Sequence, residues 1–140
     1  MMKYNKSIVL KNGKICVIRN ADANDAEGVY DNFNLTHGQT DFLMAYAVGR
    51  KDKIRHRADF GIGIEKDYWG LGIGRVLTEA CIESAKKAGY AQLELEVVAD
   101  NKAAISLYQR VGFCEYGRNP MGFRSRNTGW QELVLMRLVL

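Results

Sequence analysis

Residues 68–74 read Tyr-Trp-Gly-Leu-Gly-Ile-Gly and stand between a predicted strand and a long predicted helix. The three glycines lack a Cβ, so a ligand can approach the backbone closely. The first N–H groups of a helix have no intrahelical partner, which leaves the amides of residues 71–75 available to an anion. The stretch therefore predicts a binding turn for a phosphate or pyrophosphate group.

The elements on either side of this turn are well marked. Glycine at position 89 ends the following helix, and Lys86 and Lys87 suit the negative end of its dipole. A strand over residues 91–98 comes next, with Leu93, Leu95 and Val97 on one side and Gln92, Glu94 and Glu96 on the other. The helix itself has a 3-4 spacing of apolar or small residues at Ile73, Val76, Leu77, Ala80, Cys81, Ser84, Ala85 and Ala88.

The turn resembles the acetyl-coenzyme A signature of the GCN5-related N-acetyltransferases, Gln/Arg-x-x-Gly-x-Gly/Ala at the start of a helix. Residues 69–74 match it, with Trp69 in place of the Gln or Arg. Residues 101–113, Asn-Lys-Ala-Ala-Ile-Ser-Leu-Tyr-Gln-Arg-Val-Gly-Phe, are similar to the family's Asn-x-x-Ala-x-x-Leu-Tyr-x-x-x-Gly-Phe segment at every anchor position. Two motifs in this order, separated by a helix and a strand, are far more specific than either alone.

Other interpretations of the glycines agree less well with the sequence. A glycine cluster by itself is most often a simple turn. The Rossmann fingerprint needs Gly-x-Gly-x-x-Gly directly after a strand, whereas here the glycines are spaced two and two and residues 65–69 intervene. A P-loop would need Gly-Lys-Ser/Thr, which does not follow. An NAD-dependent oxidoreductase is therefore disfavoured.

The resemblance implies a mixed α/β fold, with a central, mostly antiparallel mixed sheet flanked by helices. We expect one N-acetyltransferase domain over residues 1–140, with a cofactor-binding core at 54–116, because 140 residues with 47% hydrophobic content suffice for one core. Only residues 40–53 remain for a helical segment and two strands that the family usually has before the turn. One or two strands would then be missing: the sheet is truncated, a partner chain completes it, or a segment of the natural protein is absent.

An uncovered sheet edge invites pairing with another chain, so we predict a homodimer or limited stability. The remaining expected elements are a hairpin of residues 7–10 and 14–19 around Asn12-Gly13, and a first helix capped by Asn20 or Asp22. That helix has an apolar face of Ala26, Val29, Tyr30 and Phe33. We also expect antiparallel strands over 42–48 and 54–65, a short strand at 113–116, a loop over 117–130 and a last strand over 131–139.

The resemblance also implies a chemistry, the direct transfer of an acetyl group from acetyl-CoA to a primary amine of a small molecule, peptide or protein. Gly61 and Gly63 leave room for a pantetheine arm along their strand, and Asn101 would hydrogen-bond that arm or cap its helix. The alternative is a non-catalytic acyl-CoA binding or sensing module. The residues expected to bind the cofactor are Ile64, Leu71, Gly72, Ile73, Gly74, Arg75, Asn101 and Tyr108.

The resemblance implies that two residues carry the catalysis. Asp59 would accept the proton of the amine, directly or through water, with His56 as a substitute base. Tyr108 would protonate the departing thiolate. Each has a plainer interpretation: Asp59 as the ion partner of a neighbouring arginine, and Tyr108 as a half-buried helix aromatic beside Ala104 and Val111.

Composition narrows the class of protein. Three scattered cysteines, Cys16, Cys81 and Cys114, predict neither a disulfide framework nor a metal site, and Cys81 is expected to pack in the core. The net charge of +4 attracts phosphates, but the aromatic residues follow core periodicity, so no nucleic-acid partner is expected. The N-terminal residues lack a long apolar run, which predicts no signal peptide, no membrane partner and a cytoplasmic protein. The family resemblance implies a protein of bacterial type.

Overall fold

A computed structural model describes residues 4–28, 48–49 and 52–140. Its two long helices are α1, Ile73–Lys87, and α2, Lys102–Arg110. Three short 3-10 helices cover Ala23–Asp25, Asp52–Ile54 and Lys66–Tyr68. The strands are β1 Asn5–Val9, β2 Ile15–Arg19, β3 Val48–Gly49, β4 Arg57–Asp59, β5 Gln92–Val98, β6 Cys114–Ser125 and β7 Gly129–Val139.

Five of the strands form a mixed sheet in the order β3-β4-β5-β7-β6. Only the β4–β5 pair is parallel among them, and α1 is the connection between these two strands. The strands β1 and β2 form a separate antiparallel pair, as the hairpin prediction required. The mixed, mostly antiparallel sheet flanked by helices confirms the predicted fold class.

The core lies between this sheet and the two helices. Leu93, Leu95 and Val97 of β5 are buried there with Ala85 of α1 and Tyr108 of α2, which confirms the alternation predicted for β5. Cys81 packs against the same cluster, and burial raises the pKa of its thiol. Removing each large apolar side chain from water contributes about 1.5–3 kcal/mol.

Glycine ends both helices in the same way. Gly89 follows α1 with φ of +83°, and Gly112 follows α2 with φ of +104°. In each case the next residue donates its amide back five positions, Tyr90 to the carbonyl of Ala85 and Phe113 to that of Tyr108. This is the Schellman arrangement, and it fixes where the chain enters β5 and β6.

The strand predicted over residues 54–65 is wrong in its length. Regular pairing covers Arg57–Asp59 alone, because residues 52–54 form a 3-10 helix and residues 60–65 leave the ladder. Within the predicted strand, Ala58 and Phe60 are both buried, but Ile54 is 40% exposed. Glycines at 61 and 63 offer no side chain to pack, which weakens a strand at that point.

The loop predicted over residues 117–130 is also wrong. Those residues belong to a long hairpin, in which β6 pairs with β7 across two irregularities, between Glu115 and Gly117 and between Asn119 and Phe123. Pro120 lies in the second irregularity, where a missing amide donor is tolerated. Gly122 is needed there for a different reason, because a Cβ would come within 2.7 Å of Leu133 across the ladder.

The predictions for the N-terminal residues are confirmed as far as the structure describes them. Asp22 caps the 3-10 helix Ala23–Asp25 with a reciprocal capping box, and residues 26–28 are helical. The rest of the predicted apolar face, Val29, Tyr30 and Phe33, lies outside the described residues, as does most of the strand predicted over 42–48. Val48 and Gly49 pair antiparallel with Asp59 and Ala58, as predicted for that strand pair.

Candidate cofactor and catalytic site

The glycine turn has the geometry of an anion site. Gly70 and Gly72 have φ of +75° and +87°, and a Cβ on either would meet no atom within 4 Å. Among the described residues, no backbone hydrogen bond is donated by the amides of residues 71–75. These amides lie at the positive end of the 15-residue helix α1. Open space beside unpaired amides fits the pyrophosphate of a coenzyme A molecule.

Gly74 differs from the other two glycines. A Cβ there would lie 3.3 Å from Leu107 Cδ2 and 3.4 Å from Ile64 Cδ1. Its missing side chain therefore lets α1 approach α2 and the end of the β4 segment, and does not clear a path for a ligand. The expectation that all three glycines open the turn to an anion is corrected at this position.

A split between the parallel strands β4 and β5 lies beside this turn. The last bond joining them runs from the Phe60 amide to the Glu94 carbonyl oxygen, 2.7 Å. Beyond it β5 continues to Val98 with β7 on its other side, while residues 61–64 make no described backbone bond to β5. Diverging parallel strands leave backbone N–H and C=O groups free to bind the amides of a pantetheine arm.

Tyr108 lies at the start of this split, on the core face of the sheet. Its ring centroid is 6.1 Å from that of Phe60 and 5.9 Å from that of Phe113. The side chain is 7% exposed, and burial raises its pKa to about 12. It is more deeply buried than the plainer interpretation expected. A hydroxyl of this pKa stays protonated at neutral pH and can donate a proton.

Asp59 lies on the opposite face of the sheet from Tyr108. It is partly buried, follows Ala58 of the core face, and pairs with Glu94 in the parallel register. Its neighbour Arg57 binds Glu94 through both Nε and Nη2, so the described partner of Arg57 is Glu94. Glu94, which is only 4% exposed, is thus an ion partner of Arg57, and the interpretation of Asp59 as an ion partner stays a prediction beside its role as the base.

The structure adds one carboxylate that the sequence did not single out. Glu96 is exposed and lies on β5 beyond the last bond to β4, two residues from Glu94 and on the same face. The alternation along β5 placed its side chain correctly. What the sequence lacked was the point at which β4 leaves β5, which makes position 96 part of the split.

Asn101 and Arg75 already have partners. The Oδ1 atom of Asn101 accepts from the Ala104 amide at 3.2 Å and caps α2, which leaves its amide nitrogen as a donor with no described partner. Capping and pantetheine binding are therefore compatible. Arg75 Nε donates to Glu79 Oε1 at 2.8 Å in an exposed pair, which is the solvated arrangement typical of a helix surface.

His56 does not join the site. It lies in a turn before β4, where its backbone carbonyl accepts from the amides of Ala91 and Gln92, at the end of β5 remote from the split. Among the described residues, no group of three or more His, Cys, Asp or Glu side chains could hold a metal ion. Nor do these residues include a helix that is long and apolar enough to cross a membrane.

Comparison with known proteins identifies the family of the chain. The model of the acetyltransferase (GNAT) family matches residues 18–113, more than half of the chain. The chain belongs to this family. The match includes both motifs up to Phe113 and ends before the β6–β7 hairpin.

The GNAT relatives include acetyltransferases of different acceptors. The [ribosomal protein bS18]-alanine N-acetyltransferase of Escherichia coli is 41% identical over 86 residues, which are 61% of this chain and 56% of the relative. The N-alpha-acetyltransferase 30 of Schizosaccharomyces pombe is 44% identical over 57 residues, 41% of this chain and 38% of the relative. The chain thus spans about half the length of the curated relatives that it matches.

Solved structures show the same fold. A GNAT acetyltransferase from Streptococcus pneumoniae superposes with a TM-score of 0.59 and 35% identity, over 68% of this chain and 56% of that one. The ribosomal-protein-S18-alanine N-acetyltransferase from Escherichia coli superposes with a TM-score of 0.67 over 99% of this chain and 94% of that one. At 23% identity, this second likeness shows the fold alone.

Proposed function

We propose that this chain transfers the acetyl group of acetyl-CoA directly to a primary amine, without a covalent enzyme intermediate. The observation that carries the proposal is the split between β4 and β5, which opens beside the unpaired amides of residues 71–75. Acetyl-CoA would supply an acetyl group activated as a thioester. The amides of Leu71, Gly72, Ile73 and Gly74 would hold its pyrophosphate, with Arg75 nearby as a cation.

The residues around the split would bind the acetyl group and the pantetheine arm. The two groups that transfer protons would lie on opposite faces of the sheet. The amide of Ile64 would stabilise negative charge on the acetyl oxygen, and the side-chain amide of Asn101 would bind the pantetheine arm. Asp59 would accept a proton from the amine on one face, and Tyr108 would protonate the thiolate on the other. Glu96 is the second candidate for the base, because it is exposed on the same face as Asp59.

We propose the α-amino group of a peptide as the first acceptor class to test. The relatives named for an alanine residue and for N-alpha acetylation support this choice. An α-amino group has an ordinary pKa of about 7.7–8.0, against about 10.4 for lysine, so roughly a tenth of it is unprotonated at neutral pH, against less than about a thousandth of lysine. A weakly basic carboxylate such as Asp59 or Glu96 would then suffice as the proton acceptor.

The proposal includes a single domain over residues 1–140 with its cofactor core at 54–116. It is supported by one buried cluster that contains residues from β4, α1, β5, α2 and β7. A cytoplasmic location of bacterial type is also proposed, because the Escherichia coli relative is named for a ribosomal protein.

Calorimetric titration of the purified chain with acetyl-CoA, CoA and NAD tests the cofactor. We expect micromolar binding of acetyl-CoA and CoA and no binding of NAD. Binding of NAD in place of acetyl-CoA would overturn the proposal. Acetyl-CoA binding without turnover on any peptide, lysine or small amine would instead favour the non-catalytic acyl-CoA binding or sensing module.

The Tyr108→Phe variant tests the chemistry. We expect kcat to fall about 100-fold while the Kd for CoA changes less than about threefold, because the ring packing is kept and the proton donor is lost. Tyr90→Phe is the matched control, since Tyr90 packs against the same core at the far end of α1. The dependence of kcat on pH, measured for Asp59→Asn and for Glu96→Gln, decides which carboxylate is the base. An unchanged kcat in Tyr108→Phe would remove the tyrosine from the mechanism.

A further inference from the structure

The tryptophan of the glycine turn makes a specific contact that its burial does not explain. Trp69 is 50% exposed, so packing alone gives little reason for so large an aromatic side chain. Its indole Nε1–H donates to the carbonyl oxygen of Ile64 at 2.7 Å. This bond joins the glycine turn to the segment that follows β4.

The residues between Ile64 and Trp69 complete a small closed loop. The 3-10 helix Lys66–Tyr68 is held by the bonds from the Tyr68 amide to the Glu65 carbonyl, 2.9 Å, and from the Trp69 amide to the Lys66 carbonyl, 3.0 Å. The bond from the Trp69 indole to the carbonyl of Ile64, the residue before Glu65, closes the loop. Trp69 therefore fixes Ile64 relative to the start of α1.

Packing holds the same residue from its other side. The Cδ1 atom of Ile64 lies 3.4 Å from the place where a Cβ on Gly74 would be, so its side chain rests against the first turn of α1. With the side chain and the carbonyl of Ile64 both held, the position of its backbone amide nitrogen is also fixed. That amide lies in the segment bordering the split.

We propose that Trp69 is a positioning residue, which holds the Ile64 carbonyl so that the Ile64 amide faces the acetyl group in the split. The inference rests on the function proposed above. Trp, Gln and Arg differ in shape but all carry a side-chain N–H donor. The structure thus gives a chemical reason why Trp69 can stand at the Gln/Arg position of the signature.

The contact itself is tested by hydrogen exchange of the indole N–H groups in the whole chain, observed by NMR. Trp130, the other tryptophan, is the internal control, because its indole has no described hydrogen bond and it is 55% exposed. The Trp130→Phe variant assigns the two signals. We expect the Trp69 indole N–H to exchange roughly fivefold more slowly than that of Trp130, as a single hydrogen bond allows. Equal exchange rates would overturn the proposal.

The positioning role is tested by Trp69→Phe, which keeps an aromatic ring and removes the donor. We expect kcat to fall about tenfold, while KM for acetyl-CoA and Kd for CoA change less than about threefold. Trp69→Gln, which restores a donor, is expected to recover most of the lost kcat. Melting temperatures of both variants check that they fold.

The outcomes separate this inference from the proposed function. A wild-type chain that shows no turnover contradicts the proposed function, and the indole exchange then decides the contact by itself. An active wild-type chain with an unchanged kcat in Trp69→Phe overturns only the positioning role. A Kd for CoA that weakens as much as kcat falls would also overturn it, since Trp69 would then support the binding turn and not the Ile64 amide.

Discussion

Two buried side chains that carry ionisable groups, Glu94 and Tyr108, lie where β4 leaves β5. Glu94 was placed by alternation among polar residues of β5, yet its side chain is only 5% exposed and accepts hydrogen bonds from Nε and Nη2 of Arg57. Tyr108 is buried between Phe60 and Phe113. A buried carboxylate needs a paired cation, and a buried phenol keeps its proton. Burial therefore keeps the proton on Tyr108, and Arg57 pairs with the buried Glu94.

The raised pKa of Tyr108 predicts a loss of stability in alkaline solution. Burial raises this pKa from 10.0 to about 12, so the folded state holds the proton more tightly than the unfolded chain. The contribution is complete below about pH 10 and is lost as the pH rises through about 12, and a two-unit gap corresponds to at most about 3 kcal/mol.

Urea unfolding of the wild type and of Tyr108→Phe, measured from about pH 9 to about pH 12, separates the contribution of Tyr108 to stability from that of the other tyrosines. The wild type is expected to lose more free energy of unfolding than the variant over this range. Equal losses would show that the Tyr108 hydroxyl is reached by solvent in the folded chain.

At the scale of elements, the glycine turn and α1 act as one binding unit. The turn brings the unpaired amides to the split, and α1 adds the field of its N-terminus. The three glycines divide into two structural roles. Gly70 and Gly72 need a positive φ, and Gly74 needs the absence of a Cβ.

This division predicts different effects of alanine at two neighbouring positions. Gly72→Ala places a Cβ on a residue with φ of +87° and is expected to cost about 1–2 kcal/mol and to weaken CoA binding at least about tenfold. Gly74→Ala is expected to change stability by less than about 1 kcal/mol, because the gain in helix propensity offsets the contact with two flexible side-chain ends.

Calorimetric Kd values for CoA and thermal unfolding of both variants check this pair. A Gly72→Ala variant that binds CoA as tightly as the wild type would show that the turn can rearrange without loss, and that the observed φ is not required.

At the scale of the whole molecule, the hairpin of β1 and β2 stands apart from the five-stranded sheet in the described part of the chain. It carries three exposed apolar side chains on one face, Val9 at 73%, Ile15 at 75% and Val17 at 52%. An open edge and an exposed apolar face both favour association with another chain.

The predicted homodimer stays a prediction, and sedimentation over a range of concentrations tests it. We expect the average mass to rise with concentration, and Ile15→Lys to shift the equilibrium toward the monomer without changing the melting temperature by more than a few degrees. Lys14→Ile is a neighbouring change in the opposite direction and should promote association. A monomer at every concentration, with high thermal stability, would contradict the prediction.

Much of this molecule could be predicted from residues 68–113. Helix α1, strand β5 and helix α2 have clear periodicity, and their ends carry Gly89, Asn101 and Gly112, whose caps are local interactions. The mixed sheet was implied by the resemblance of residues 69–74 and 101–113 to the two family motifs. Local signals of this kind depend on residues within a few positions of each other, so one sequence can reveal them.

Tertiary structure alone decided where strands pair and where they part. Residues 117–130 were predicted to form a loop, but pairing with β7 extends β6 through residues 117–122, with irregularities in the ladder. The run of residues 54–65 suggested one strand, yet β4 leaves β5 after Phe60 and so opens the split. Strand pairing depends on partners far away in the sequence, and the free energy of such long-range contacts overrides local propensity.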